Sequence, residues 1–366
     1  MKYCTSCLMP ETRPRITFDA NGVCSACTWA REKRTSVDWK ARWSQLEQLC
    51  DEHRSNACFD CILPVSGGKD SSYVAYMMRH KMGMHPLCVT IRPGLALPVG
   101  EQNVINFVQS GYDHIHVTPD PRVTRAIDKI GFVESGRPLL GWMTAVQTAV
   151  FRVAAQFGVP LIMFGEEGET EYGGTSKLRH QHYYDAHDSV QIYLSGHDPA
   201  QYRSQFSEKE LYWLTYPSAQ DLEALGLCAA HWSYFENWDP YEHYLVAKEK
   251  CGLQEQVERS QGTYNNFAQT DTSLYNLHVY LMYLKFGFGR CTQDVGIDIR
   301  RGAMSRKQGL ALVRKLDREN PDIYIPQYLD YFGMTHDEFD AVLDKHVNKA
   351  LFRKSSRGWE PTFEPA

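Results

Sequence analysis

The stretch Ser66-Gly67-Gly68-Lys69-Asp70-Ser71 limits what this chain can fold into more than any other. It follows the apolar run Cys61-Ile62-Leu63-Pro64-Val65 and precedes an amphipathic one, so it reads as a turn from a buried strand into a helix. Two glycines let backbone come close to an anion, and the helix that follows offers unpaired N–H groups and the positive end of its dipole. The turn is read as a phosphate cradle. It has neither the spacer and Gly-Lys-Ser/Thr of the Walker loop nor the Gly-x-Gly-x-x-Gly of dinucleotide folds.

Strand and helix alternate from there. Candidate strands are 61–65, 87–91, 114–118 and 161–164; candidate helices are 72–81, 102–109, 123–130 and 142–157. This pattern predicts an α/β fold, a Rossmann-like parallel sheet with right-handed crossovers, whose ligands sit beyond the carboxyl ends of the strands. With 366 residues the chain exceeds one ordinary core. The reading divides it into 1–45, a metal ribbon and linker helix; 46–205, the nucleotide-binding domain; and 206–366, a mostly helical substrate or partner domain. A net charge of −5 supplies no general attraction to nucleic acid or anionic membrane, so neither is expected as a partner. No apolar run approaches the roughly 18 residues of a membrane span, and MKYCTSCLMPE lacks a signal-peptide core, so a cytoplasmic location is expected.

Cys4-x-x-Cys7 and Cys24-x-x-Cys27, sixteen residues apart, have the spacing of a two-knuckle structural zinc site, with an iron–sulfur site or paired disulfides as the alternatives. Asn21-Gly22 is a type I′ turn signal that would fold the second knuckle back. Cys58 and Cys61 are read as buried strand residues, and Cys50, Cys88, Cys228, Cys251 and Cys291 as core.

After the strand at 161–164 comes Glu166-Glu167-Gly168-Glu169-Thr170-Glu171, four carboxylates in six residues at another carboxyl-end loop, closed by Tyr172-Gly173-Gly174. A solvated acidic loop and a magnesium or substrate site are both open readings, with Glu166 and Glu171 the candidates. From about residue 208 helical runs dominate, one of them capped by Ser305. The linker around Arg290, Arg300, Arg301 and Arg306 is either a solvated basic turn or a site for an anion, since arginine holds phosphate and carboxylate in a fork.

Taken together, SGGKDS, the CxxC pairs, GEEGETEYGG, SQGTYNNFAQTD and YLKFGFGRCTQDVGIDIRRGAMSRKQGLALV resemble the N-acetyl sugar amidotransferases of surface-polysaccharide and O-antigen biosynthesis, within the PP-loop ATP pyrophosphatase superfamily. The resemblance implies a PP-loop domain that binds ATP and Mg2+, and a reaction in which the acetamido oxygen of an N-acetyl sugar, expected as a sugar nucleotide, is adenylated before ammonia displaces AMP to leave an acetamidine. By position it implies that Ser66, Gly67, Gly68, Lys69, Asp70, Ser71 and Thr90 hold the nucleotide. Asp70, Glu166 and Glu171 would be catalytic, and Tyr172, Arg290 and Arg300 would meet the substrate. Cys4, Cys7, Cys24 and Cys27 would hold a structural Zn2+. The chain departs from the family pattern at Glu167, where an amide residue is expected, and at Cys291, where a small one is expected.

Gly226-Leu227-Cys228-Ala229-Ala230 comes close to a nucleophile elbow, with His336-Asp337-Glu338 downstream, but the surrounding chain reads as helical and lacks a supporting strand. Ammonia is therefore expected from outside, and the resemblance implies a separate glutaminase subunit with a barrel subunit like those of imidazole glycerol phosphate synthase. Two rivals are an ATP-dependent tRNA sulfur transferase, which joins cysteine knuckles to the same loop but typically needs cysteines beyond it, and a ribbon interaction module whose nucleotide fold has lost activity.

Overall fold

The protein is described from a computed structural model covering residues 1–54, 58–177, 179–356 and 358–366. Its main sheet has six strands, β1 (Cys61–Pro64), β2 (Pro86–Ile91), β3 (Asp113–Val117), β4 (Leu161–Phe164), β5 (Tyr183–Tyr184) and β6 (Cys228–His231), in the order β3-β2-β1-β4-β6-β5. All neighbours are parallel except β5 and β6. Every residue of β2 and β4 is buried, as expected for parallel strands covered on both faces. Alternate side chains divide between two cores. Ile62, Val89 and Ile162 face the helices Pro121–Ser135 and Leu140–Phe157, while Leu63, Cys88 and Met163 face Trp39–His53 and Lys69–His80.

The four expected strands and four expected helices are all present, with the helices beginning two to four residues earlier than the periodicity suggested. Two of those starts carry a proline at the first helical position, Pro98 and Pro121, and Asp120 caps the second by accepting from the Arg122 N–H; Gly68 opens the helix after the phosphate turn.

Three readings are corrected. Cys228–His231 is a strand and not helical chain, so the sheet runs past the expected boundary at 205, and helix Pro240–Cys251 packs on helix Lys69–His80. Two of its four residues are alanines of weak strand preference, which hid it. Cys58 is exposed, whereas Cys61 is fully buried in β1. The basic linker is not a turn, because Arg290–Arg300 forms a helix.

Among the described residues, the chain beyond Cys251 first runs through an irregular segment, 252–273, and is then mostly helical apart from a hairpin of β7 (Phe352–Ser355) and β8 (Gly358–Pro361). In the N-terminal module Asn21-Gly22 does fold the chain back, through a type I turn with a bulge and not type I′. Of the turn residues only Gly22 takes a positive φ, 75°, and the Asp19 carboxylate accepts from the N–H groups of Asn21 and Val23 at 2.9 Å each.

Candidate active site

A cavity of about 300 Å³ opens at the carboxyl ends of β1, β2 and β4. Ser66, Gly68, Lys69, Asp70 and Ser71 line one side, Glu166 and Tyr172 a second, and Phe267 to Asp271 with Tyr275 and Arg290 a third.

The two glycines of the turn differ in what they do. Gly67 has φ 74°, and a Cβ there would lie 2.7 Å from the backbone of Asn103 and Val104, so it seats the loop against helix Pro98–Gln109. Gly68 has ordinary φ and faces the cavity; a Cβ there would meet only the Ser66 hydroxyl, at 3.1 Å. Close approach by a ligand therefore depends on Gly68, while Gly67 serves the loop. Thr90 does not line this cavity but borders an adjoining one that Ser66, Trp142 and Asp271 also line. The Thr90 hydroxyl donates to the Val65 carbonyl at 2.5 Å and meets His114 Nε2 at 2.8 Å.

Asp70 is heavily engaged. It pairs with the Lys69 ammonium, and its Oδ1 accepts from Trp238 Nε1 at 2.9 Å and meets His243 Nδ1 at 2.9 Å. Burial alone would raise its pKa, but Lys69 and His243 override that and hold the carboxylate well below its usual range. Burial would likewise discharge Lys69, and Asp70 and Glu166 keep it charged.

The four acidic-loop carboxylates have four separate duties. Glu167 caps helix Gly168–Tyr172, accepting from the N–H groups of Glu169 at 3.1 Å and Thr170 at 2.7 Å. Glu169 pairs with Arg15 at 2.8 Å. Glu171 turns away from the cavity, to Lys33 at 2.8 Å and Trp29 Nε1 at 3.0 Å, and so ties the loop to helix Ser25–Thr35. Only Glu166 faces the phosphate turn. Burial first, and then Asp70, push its carboxyl up to about 7, against the pull of Lys69 and Arg290. Among the described residues no side chain donates a hydrogen bond to it.

Arg290 lies against Tyr172, 5.8 Å from its ring centroid, and pairs with Asp294 at 2.8 Å. Arg300 is elsewhere. It donates to the Glu171 carbonyl at 3.1 Å and stands in the field of Cys7, Cys27 and Cys24, where it offsets thiolate charge.

The four cysteine sulfurs are buried and lie within 4.8 Å of one another, with 3.8 Å between Cys4 and Cys27 and 3.7 Å between Cys7 and Cys24. A tetrahedron of thiolates about 2.3 Å from one ion has edges of about 3.8 Å, so the donor set fits a single tetrahedral metal. Backbone N–H groups of Cys7 and Cys24 donate to Cys4 Sγ, as a thiolate requires. Arg306 clamps the module to the helical region through the Cys7 carbonyl at 3.1 Å and the Cys4 carbonyl at 3.2 Å.

Cys228 begins β6, half-buried, and burial raises its thiol pKa. It lies at the amino end of a parallel strand, opposite the cavity end, so the elbow is excluded by strand direction and not by the helical reading.

Sequence reasoning missed Gln269, Asp271, Trp238 and His243. Gln269 is the most unusual of these, with φ 60° and both amide atoms buried without a partner at the cavity wall. Asp271 takes a hydrogen bond from Ser66 in the turn, and burial raises its pKa. Gln269 and Asp271 both fall in SQGTYNNFAQTD, whose polar residues carry no period.

Comparison with known proteins adds a family. No curated protein matches the chain. Two similar solved structures are a U34-tRNA thiolase, NcsA, from Methanococcus maripaludis with its [4Fe-4S] cluster (10% identity, 72% of this chain and 79% of that one, TM-score 0.31) and a predicted subunit of tRNA methyltransferase from Methanocaldococcus jannaschii (16% identity, 62% and 88%, TM-score 0.29). Superpositions this loose carry no argument. Residues 261–364 match the model of the LPS biosynthesis protein WbpG-like C-terminal domain, a segment that supplies Gln269, Asp271, Tyr275 and Arg290 to the cavity. Over residues 261–364 the chain is therefore similar to the C-terminal domain of WbpG-like lipopolysaccharide biosynthesis proteins, in agreement with the N-acetyl sugar amidotransferase family that its motifs resemble.

Proposed function

We propose that the protein is an ATP-dependent amidotransferase that converts the acetamido group of a sugar nucleotide into an acetamidine. One observation carries this reading: the segment matching the WbpG-like domain forms the wall facing the phosphate turn, so the part related to lipopolysaccharide biosynthesis and the part built for a nucleotide share one cavity.

In the first half-reaction the acetamido oxygen attacks the α-phosphorus of ATP, pyrophosphate departs, and an O-adenylyl imidate remains. In the second, ammonia adds to the imidate carbon, AMP leaves with the original oxygen, and a proton is released. Ser66, Gly68 and Ser71, at the start of a helix, would hold the β- and γ-phosphates, with Lys69 neutralising the departing pyrophosphate. Bound Mg2+ would shield phosphate charge, with Glu166 as its protein ligand or, once ammonia adds, the acceptor of its proton; a carboxyl near neutral pKa suits the latter role. The Gln269 amide offers both a donor and an acceptor, matching the C=O and N–H of an acetamido group. Asp70 acts as a positioning residue for Lys69. The thiolate site is proposed to hold zinc, which supplies structure and no open coordination position.

Ammonia is proposed to come from a separate glutaminase subunit through a barrel subunit. The alone-standing chain should use free ammonia but not glutamine, and Cys228→Ala should change neither property. The tRNA sulfur transferase reading fares worse, because among the described residues no cysteine lines the cavity. The reading is tested by incubating the protein with ATP, Mg2+, ammonium and a panel of sugar nucleotides. AMP with an aminated sugar is expected, and ADP or no turnover across the panel would count against it.

A further inference from the structure

A second cavity, of about 340 Å³, adjoins the phosphate cavity, and Met143, Tyr172, Tyr275 and Arg290 line both. Its wall carries Arg13, Arg15, Arg137 and Arg290; Glu169 engages Arg15 at 2.8 Å and Asp294, behind the wall, engages Arg290 at 2.8 Å, which leaves Arg13 and Arg137 without a paired carboxylate among the described residues. In a chain of net charge −5 this is a local excess of positive charge in a cleft. Arg137 is held in place through the Leu194 carbonyl at 2.8 Å. Burial, then Arg137, lowers His278 to about 4, so its ring is neutral and adds no charge.

Arg13 is the telling residue. Its Nε is buried with no partner, and burial disfavours its charge. Glu169 offsets part of that burial, but a buried guanidinium N–H without an acceptor costs free energy that an anion in the cavity would relieve. Arg13 and Arg15 come from the cysteine module, between its two CxxC knuckles.

We propose that this second cavity binds the diphosphate of a nucleoside diphosphate sugar, and that the cysteine module, by carrying Arg13 and Arg15, is part of the substrate site and not only a structural attachment. The identity of the ligand rests on the reading above. The shared wall of Tyr172, Tyr275 and Arg290 would let the sugar reach from this diphosphate toward the phosphate turn, where its acetamido oxygen must meet ATP.

The test is calorimetric binding of UDP, GDP, CDP and dTDP to the full chain with the ATP site filled by a non-hydrolysable ATP analogue. At least one should bind, and Arg13→Gln should weaken it roughly tenfold or more, as loss of a charge-assisted hydrogen bond does, while affinity for the ATP analogue stays unchanged. Arg13→Lys, which keeps the charge but not the fork, should fall between. The proposal is overturned if none of the four binds, if Arg13→Gln and Arg15→Gln bind them like the wild type, or if both variants lose the ATP analogue in step with the diphosphate. Because no turnover is measured, absence of AMP formation in the separate activity assay would refute the reaction while leaving this result readable.

Discussion

At the residue scale, charge placement decides roles more than residue type does. Four glutamates within six residues look alike in sequence, yet one caps a helix, two pair with cations and only Glu166 meets the cavity. Its raised pKa gives a pH test with a definite sign. Burial disfavours the carboxylate, so below the unfolded value, near 4.5, the group costs nothing; the penalty grows as pH rises and is complete above about 7. Glu166→Gln should therefore match the wild type in stability at pH 4 and exceed it at pH 8, by on the order of 1–2 kcal/mol after allowance for partial exposure. Denaturation of both proteins at the two pH values measures this, and a variant whose advantage over the wild type is no larger at pH 8 than at pH 4 would mean the carboxylate is already compensated. The same variant should lose most of its AMP-forming activity. Gln269→Leu should raise KM for the sugar substrate with its fold intact, since a buried amide without a protein partner gives no stability to lose.

At the element scale, the turn, the acidic loop and the first helix are coupled by buried contacts. Gly67→Ala forces a Cβ into the backbone of Asn103 at an unfavourable φ, and should reduce soluble yield and melting temperature. Gly68→Val should leave melting nearly unchanged and abolish AMP formation; the reverse assignment of the two phenotypes would refute the division of labour between them. Lys33→Ala strands the buried Glu171 carboxylate and should cost about 3–5 kcal/mol, whereas a Lys33→Met, Glu171→Gln double variant should recover much of that. Chemical denaturation of the three proteins measures the difference. The strands β1, β2 and β4 were legible in the sequence because buried parallel strands read as nearly unbroken apolar runs, and β1 runs directly into the glycine turn. Cys228–His231 was not, since a short strand with two alanines between helical segments has no distinguishing period. For the site, Ser66, Gly68, Lys69, Asp70, Ser71, Glu166, Tyr172 and Arg290 meet at one cavity. The side chains of Glu171 and Arg300 point to other partners, and side-chain direction around a helix cannot be read from a motif. Gln269 and Asp271 had a signal only in the unexplained SQGTYNNFAQTD segment.

At the scale of the whole molecule, parts distant in sequence converge on the carboxyl ends of the sheet: the cysteine module from one side, the helical C-terminal region from the other. Arg306 joins these two through the carbonyls of Cys4 and Cys7. Removing the metal should loosen both at once. Metal analysis is expected to give one zinc per chain, and Cys24→Ser should lose the metal, lower the melting temperature and impair sugar-nucleotide turnover. A metal-free chain of unchanged stability would refute the metal's structural part.

The central claim is that the acetamido oxygen leaves on AMP, and the most direct measurement is to follow that oxygen. A sugar nucleotide that supports turnover, labelled with heavy oxygen in its acetamido carbonyl, is incubated with the protein, ATP, Mg2+ and ammonium, and the nucleotide products are weighed by mass spectrometry. The account predicts heavy oxygen in AMP, none in pyrophosphate, and an aminated sugar free of label. Unlabelled AMP, label retained on the sugar, or ADP in place of AMP would contradict it.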